Sequence, residues 1–259
     1  MPFAFPSNPA ELDRLYNNRD LVPAFPEHMA RWTRDSAALR AQGRCVLDLP
    51  YGDGPGETLD VFLPARAVPG GAPVLFFIHG GYWRSLDKAD HSFVAAAFAA
   101  AGVCVVVPNY ALCPAVTIPD ITLQMARALA WTWRHVSAHG GDPQRITVAG
   151  HSAGGQLAPM MLLCRWPELG ADLPAMLVRN ALAISGLHDL EPIRQTPFLQ
   201  ASLHLTPGQV ALASPARLPA PRLRSGRGLL YAVAGGDESA EFLRQNALIR
   251  EAWGRRVVP

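Results

Sequence analysis

Residues 146–155 read ITVAGHSAGG, an apolar run followed at once by a serine set between glycines. The residues from Ile146 to Ala149 suit a buried strand, and the small residues after Ser152 suit the start of a helix. A serine at such a strand-to-helix turn sits above the sheet, where its hydroxyl can act as a nucleophile. The stretch therefore predicts a parallel strand, a sharp turn carrying Ser152 and a helix behind it.

A second glycine motif follows an earlier strand, at residues 79–83 (HGGYW). The run before it, 74–78, is continuously apolar, which predicts a central parallel strand covered on both faces. Backbone amides presented by a glycine-rich loop can stabilise the negative charge of a tetrahedral intermediate. We expect this oxyanion hole to be formed by the amides of Gly81, Tyr82 and Ala153. The residues expected to support the loop and the pocket are His79, Gly80, Trp83 and His151.

The rest of the chain alternates strand and helix patterns, which is typical of a mostly parallel sheet with helices on both faces. We expect a single α/β domain over residues 1–259, with a helical N-terminal segment at 1–43. An irregular, lid-like insertion is expected at 190–227, where Thr206 begins a capping-box pattern for one short helix. Asp120 is expected to cap a long helix. The predicted strands are 44–49, 58–63, 74–78, 103–107, 145–149, 182–185 and 228–234.

Composition excludes several classes of function. The chain has 259 residues, 49% of them hydrophobic, and its net charge of +2 forms no basic stripe, so nucleic acid is not an expected partner. Because there is neither a signal-type N-terminus nor an apolar run of membrane length, we expect a cytoplasmic protein without a membrane partner. The four cysteines are widely spaced, which favours free thiols over disulfides or a metal site. No cofactor or metal is expected.

A serine nucleophile needs an acid and a base. Two carboxylates, Asp237 and Glu238, follow the predicted strand 228–234, and either can orient a base. Asp189 lies after the preceding strand and is a second geometric position for the acid, although a solvated or helix-capping aspartate is the more ordinary interpretation. In this architecture the basic histidine comes last in the chain. No histidine follows His204, so we expect the general base to be missing.

The other histidines do not occupy the position of that base. His188 directly follows a predicted strand and His204 lies in the irregular insertion. His135 and His139 are four residues apart, but the glutamate of the H-E-x-x-H metal motif is absent, which favours interaction with a helix C-terminus. Pro159 falls inside the helix after Ser152 and is expected to kink it.

The chain resembles the arylformamidase (kynurenine formamidase)-like branch of the α/β hydrolases, which is close to the hormone-sensitive-lipase-like esterases. The motifs that carry the resemblance are residues 16–19 (YNNR), 79–83 (HGGYW), 110–114 (YALCP), 150–155 (GHSAGG) and 238–245 (ESAEFLRQ). The resemblance implies the α/β-hydrolase fold and cofactor-free hydrolysis of N-formylkynurenine to kynurenine and formate through Ser, Asp or Glu, and His. Its G-x-x-[DE] motif matches Gly235 and Glu238, which favours Glu238 over Asp237.

Members of this branch continue through one further strand to a histidine loop, and both are expected to be missing here. Val257 and Val258 have the character of the first residues of such a strand. The missing histidine has two interpretations, a shortened sequence or a naturally inactive form. An uncovered edge at 228–234 predicts aggregation or a homodimer.

Three functions follow as alternatives. The first is a serine hydrolase acting through an acyl-enzyme on a small acyl substrate such as an aromatic formamide, inactive as given because the base is absent. The second is a general carboxylesterase of small esters, and the third is a catalytically silent binding protein. Trp83 and Tyr16 are candidates to lie over a substrate ring, but both types of residue also serve as core packing.

Overall fold

The computed structural model describes residues 4–223 and 228–259. The predictions for residues 1–3 and 224–227, at the ends of the N-terminal segment and of the insertion, lie outside the described residues. In the described ranges, no helix combines the length and the hydropathy that crossing a membrane requires.

In the part of the chain that the structure describes, seven strands form one sheet. They are β1 (Cys45–Pro50), β2 (Thr58–Phe62), β3 (Ala72–Ile78), β4 (Cys104–Pro108), β5 (Gly141–His151), β6 (Val178–Ile184) and β7 (Leu229–Val233). Their spatial order is β1-β2-β4-β3-β5-β6-β7. The β1–β2 and β2–β4 pairs are antiparallel, and the pairs from β4 to β7 are parallel. The expected α/β class, with a mostly parallel sheet, is confirmed.

The N-terminal segment is helical, as expected from its sequence. It contains α1 (Pro9–Tyr16), α2 (Asn18–Leu21) and α3 (Phe25–Ala41). Before β4, residues Lys88–Val94 form a 3₁₀ helix that leads into α4 (Ala95–Ala100). Next comes α5 (Ile118–His135).

The cap of α5 differs from the prediction. Its N-cap is Thr117, and Asp120 instead supplies the third position of a reciprocal capping box with Thr117. The sequence T-I-P-D matches the capping-box spacing with an acidic residue at its third helical position, so the error was one of register.

The expectation of an irregular stretch at 190–227 was largely wrong. The helices α6 (Ala153–Leu163) and α7 (Trp166–Leu169) precede β6, and α11 (Ala240–Trp253) follows β7. Within the described part of the stretch itself the chain forms three short α-helices, α8 (Glu191–Arg194), α9 (Pro197–Leu203) and α10 (Pro207–Ala213). The α10 helix begins with the predicted Thr206 capping box. These helices are too short to show a helical repeat in the sequence, and a proline opens each of α8, α9 and α10 at its first turn.

The two faces of the sheet are packed differently. On one face β3 and β5 contribute Val74, Phe76, Ile146 and Val148 to the large core that also contains α5 and α6. The other face includes Leu75, Phe77 and Ala149, and a cavity of about 410 Å³ lies over these residues and Leu182 and Ile184. Tyr231 and Val233 pair in register with Leu182 and Ile184 and are 47% and 46% exposed, so this apolar face extends to the edge strand.

The C-terminal residues do not begin a strand as expected. Residues 255–257 lie in a turn, and Val257 and Val258 are buried. The Leu230 amide donates to the carbonyl of Val257 at 2.9 Å, so part of the outer edge of β7 is occupied by this turn.

Candidate active site

Ser152 occupies a strained turn between β5 and α6. Its backbone angles are φ 56° and ψ −113°, a left-handed region that residues with a side chain rarely adopt. The Ser152 amide donates to the carbonyl of Ile184 at 2.8 Å, which ties the turn to the end of β6. Strain of this kind persists only where the surrounding structure holds it, and such positions concentrate at active sites.

The turn is closed by a glycine. A Cβ on Gly154 would lie 2.1 Å from the carbonyl oxygen of Ile78, so the first turn of α6 packs directly on the end of β3. The Ser152 hydroxyl forms no hydrogen bond with the described residues, and its oxygen is not fully shielded from solvent. The nucleophile candidate is therefore 7% exposed, unpaired and reachable.

The loop after β3 lies against this turn. A Cβ on Gly80 would approach the Cβ of Ser152 to 3.2 Å. Gly81, Tyr82 and Trp83 all have positive φ, at 114°, 50° and 55°. Within residues 4–223 and 228–259, the amides of Gly81, Tyr82 and Ala153 donate to no oxygen. Three amides without a partner, in the loop and the turn that meet at Ser152, are candidates to bind an oxyanion.

Buried aromatic residues hold the loop from behind. The His79 ring is fully buried and stacks on Tyr110 with 4.2 Å between centroids, while its Nδ1 lies 2.7 Å from the Gly80 carbonyl oxygen. The Tyr110 hydroxyl donates to the His79 carbonyl at 3.0 Å. Burial lowers the pKa of His79, so the ring is neutral near pH 7. His79 therefore fixes the loop and is too enclosed to exchange protons with a substrate.

Gln156 joins the loop to the nucleophile helix. Its Oε1 accepts from the Trp83 indole nitrogen at 3.0 Å, and its Nε2 donates to the carbonyl of Ala213 in α10 at 2.9 Å. Both the Gln156 and the Trp83 side chains are fully buried. Because the Gln156 amide also donates to the Ser152 carbonyl at 3.1 Å, one residue connects the Ser152 turn, the loop after β3 and α10.

The carboxylates after β7 differ in their surroundings. Glu238 Oε1 accepts from the Ser185 hydroxyl at 2.5 Å and from the Gly235 amide at 2.7 Å. Asp237 is exposed. Asp189, the alternative position, is fully buried and forms a two-point ion pair with Arg217, so it is neither solvated nor free to orient a base.

Comparison with known proteins assigns this fold to a protein family. A model of a family with the alpha/beta hydrolase fold matches residues 75–222, more than half of the chain, including both glycine motifs. The chain belongs to the α/β-hydrolase family. The kynurenine formamidase of Danio rerio is 28% identical over 220 residues, which are 85% of this chain and 72% of that protein. The esterase LipQ of Mycobacterium tuberculosis is 33% identical over 150 residues, 55% of this chain and 35% of that protein.

A solved structure is similar over nearly the whole length of this α/β hydrolase. The crystal structure of a candidate thioesterase from Silicibacter sp. TM1040 is 31% identical with a TM-score of 0.80. The match covers 94% of this chain and 87% of that one. The proteins to which this chain is similar therefore include a kynurenine formamidase, an esterase and a candidate thioesterase.

No imidazole serves Ser152 in the described part of this α/β hydrolase. His188 is fully buried with both ring nitrogens unpaired, and burial lowers its pKa to about 3. The His151 ring lies on the Gly80 side of the turn, where burial also lowers its pKa. His204 is exposed and its Nε2 lies 3.1 Å from the Ala201 carbonyl. His135 and His139 pack on Trp131.

Tyr16 and Trp83 are core residues, so the idea that either lies over a substrate ring is wrong for this conformation. Both are fully buried. The Tyr16 hydroxyl donates to Glu241 at 2.6 Å, and the Tyr16 carbonyl accepts from the Tyr82 hydroxyl. Tyr16 thus connects the N-terminal segment to the oxyanion loop and to α11.

Sequence reasoning missed Gln156 and Ser185. Gln156 lies four residues after Ser152, one helical turn along α6, and this spacing was the available signal. Its partner Trp83 is 73 residues away, which no local pattern reveals. Pro159 lies inside α6, which continues past it to Leu163.

Proposed function

We propose that this chain is a serine hydrolase of small acyl substrates, with Ser152 as nucleophile and the amides of Gly81, Tyr82 and Ala153 as the oxyanion hole. The observation that carries the proposal is the strained Ser152 turn with its unpaired hydroxyl beside three unpaired amides. Glu238, held by Ser185, is the proposed acid. Among candidate substrates, an aromatic formamide of the N-formylkynurenine type is supported by the similarity to kynurenine formamidases over 85% of the chain.

In the proposed reaction, a base removes the Ser152 proton as Oγ attacks the formyl carbon. The carbonyl oxygen becomes an oxyanion facing the three amides, and collapse of the intermediate expels the arylamine, which takes up a proton. Water then attacks the formyl-enzyme and releases formate and the Ser152 hydroxyl. Loss of one oxyanion donor costs about 2.7–4 kcal/mol in comparable sites.

The base is the missing component among the described residues. Loss of the base from a catalytic triad reduces kcat by about 10⁶-fold, because the oxyanion hole and substrate binding alone remain. We therefore expect the 259-residue chain to turn over very slowly by itself. Free imidazole supplied in solution can take the Ser152 proton, and its small size suits a site that lacks the side chain.

The test is formate release from N-formylkynurenine by the 259-residue chain, with and without added imidazole. We expect a rate that rises with imidazole concentration and that vanishes in Ser152→Ala, after correction for imidazole alone. In the presence of imidazole, an organophosphate probe should label the wild type at Ser152 and leave the variant unlabelled. Equal rates for the two proteins, or labelling at another residue, would refute Ser152 as the nucleophile.

A general carboxylesterase is the second candidate, favoured by the similarity to the esterase LipQ over 55% of the chain. The same imidazole-dependent assay separates the two functions. Faster Ser152-dependent hydrolysis of p-nitrophenyl acetate than of formanilides, after allowance for their intrinsic reactivities, would favour the esterase. A chain that binds these compounds but shows no Ser152-dependent turnover or labelling would be a silent binding protein.

A further inference from the structure

One partly buried cation in the described ranges lacks an acidic partner. Five Lys or Arg residues there are not classed as exposed, namely Arg40, Arg84, Lys88, Arg194 and Arg244. Four of them form ion pairs with Asp or Glu at hydrogen-bonding distance. Arg84 has none. A cation that loses water without gaining a carboxylate is costly, which makes Arg84 a candidate to bind an anion.

The Arg84 guanidinium is held at one end and open at the other. Its Nη1 donates to the Phe198 carbonyl at 2.8 Å and to the Ser202 hydroxyl at 2.7 Å, both in α9. The group also lies over the Phe198 ring, 5.3 Å from its centroid. Nε and Nη2 have no partner in the described part of the chain, and neither is enclosed. These two adjacent donors match the spacing of two carboxylate oxygens.

A second arginine approaches the same loop. Arg19 Nη2 donates to the Ser85 hydroxyl at 3.3 Å, and its guanidinium lies over the Phe25 ring at 5.3 Å. Ser85 in turn donates to the Gly81 carbonyl at 2.9 Å. Burial lowers the pKa of Arg84, and the positive charge of Arg19 lowers it further. The two cations are therefore close enough to repel each other. Two positive charges therefore flank the loop that carries the oxyanion donors.

We propose that Arg84 and Arg19 form a subsite for a carboxylate on the acyl substrate, so that this hydrolase prefers anionic substrates to neutral ones. The inference rests on the proposed function, since it concerns the same site. Tyr82 links the subsite to the reacting centre. Its amide is a proposed oxyanion donor, and its ring meets that of Phe198 edge to face at 6.3 Å. An aromatic ring bearing a carboxylate would thus find both an aromatic surface and two cations.

The test is direct binding of two aryl formamides that differ in charge, N-formylanthranilate and formanilide. Calorimetric titration is done on the 259-residue chain and on its Ser152→Ala variant, so that turnover does not affect the result. We expect the anion to bind about tenfold more tightly, which is the size of one additional charge-assisted hydrogen bond. Arg84→Gln and Arg19→Gln should each lower the affinity for N-formylanthranilate by several fold and leave the affinity for formanilide unchanged. Added salt should reduce the preference.

Ser202→Ala is the matched control, because it removes a partner that holds Arg84 and keeps the charge. If Arg84 only fastens the loop to α9, Ser202→Ala and Arg84→Gln will lower the affinities for both ligands alike. That result would overturn the proposal. Equal affinities for the two ligands in the unmodified chain would also overturn it. Failure of the proposed function appears separately, as selective anion binding without any Ser152-dependent formate release.

Discussion

The candidate site has two halves that are held in different ways: the nucleophile half, around the proposed nucleophile Ser152, and the acid half, around the proposed acid Glu238. Behind Ser152 and Gly81 stand fully buried side chains, including His79, Trp83 and Gln156, with paired polar atoms. The acid half lies in the exposed turn after β7, where Glu238 depends on one hydroxyl and one amide. The buried, hydrogen-bonded side chains therefore stand where the proposed reaction would develop charge, and preorganised donors contribute most at such a position.

Replacing Gln156 tests the rigid half most strongly. Gln156→Leu leaves the Trp83 indole N–H and the Ala213 carbonyl unpaired in the interior, and the loop must shift to regain partners. We expect kcat of the imidazole-supported reaction with p-nitrophenyl acetate to fall about 100-fold, with KM nearly unchanged. The measurement is a full kinetic comparison of the variant with the wild type.

The double variant Gln156→Leu with Trp83→Phe separates positioning from simple destabilisation. Because both polar partners of the 83–156 bond are then absent, the double variant should be no worse in kcat than Gln156→Leu alone. Additive losses in kcat, or a change confined to KM, would contradict a role for Gln156 in placing the oxyanion loop.

His188 lies in the segment that connects the two halves and affects stability. Its folded pKa is about 3, against about 6.5 for an unfolded histidine, so the unfolded state takes up a proton first as the pH falls. Stability is therefore lost progressively from about pH 6.5 downward. At pH 5 this single group should cost about 2 kcal/mol. Denaturant titrations at pH 7.5 and pH 5 should show that His188→Phe loses less stability by about that amount.

The matched control for that experiment is His135→Gln, at an exposed position on α5. Its acid sensitivity should equal that of the wild type. If His188→Phe loses as much stability between pH 7.5 and pH 5 as the other two proteins do, the buried ring is not the source of the effect.

Glu238→Gln tests the loosely held half and should have a smaller effect. Free imidazole is not anchored by a carboxylate, so loss of the Glu238 charge should change the imidazole-supported rate by only about two- to threefold. Ser185→Ala, which removes the hydroxyl that bonds Glu238, should behave similarly. A loss as large as that of Gln156→Leu would show that the acid half contributes to the chemistry without a resident base.

The exposed apolar residues beside the acid half predict weak self-association. We expect the chain to associate through β7 and its apolar face, although the Val257 turn occupies part of that edge. Tyr231→Lys with Val233→Lys should weaken association about tenfold through like-charge repulsion. Sedimentation velocity over a concentration series measures it, and a wild type that stays monomeric throughout would contradict the expectation.

The predictable parts of the molecule were those determined by local sequence. The Ser152 turn, the central strand before His79 and the Thr206 capping box each depend on residues within a few positions of one another. The helices at 191–203 could not be predicted because each is a single turn or two, stabilised by tertiary packing. The Ser185 to Glu238 bond and the Arg84 anchor on α9 span distant segments, and only the fold brings them together.

The backbone of Ser152 has a consequence for protein engineering. A glycine at position 152 would relieve a conformation that costs a serine of the order of 1 kcal/mol, so heat resistance should improve while the hydroxyl is lost. A library ranked by melting temperature alone would therefore discard the proposed nucleophile. Thermal screening and functional screening select opposite residues at this single position.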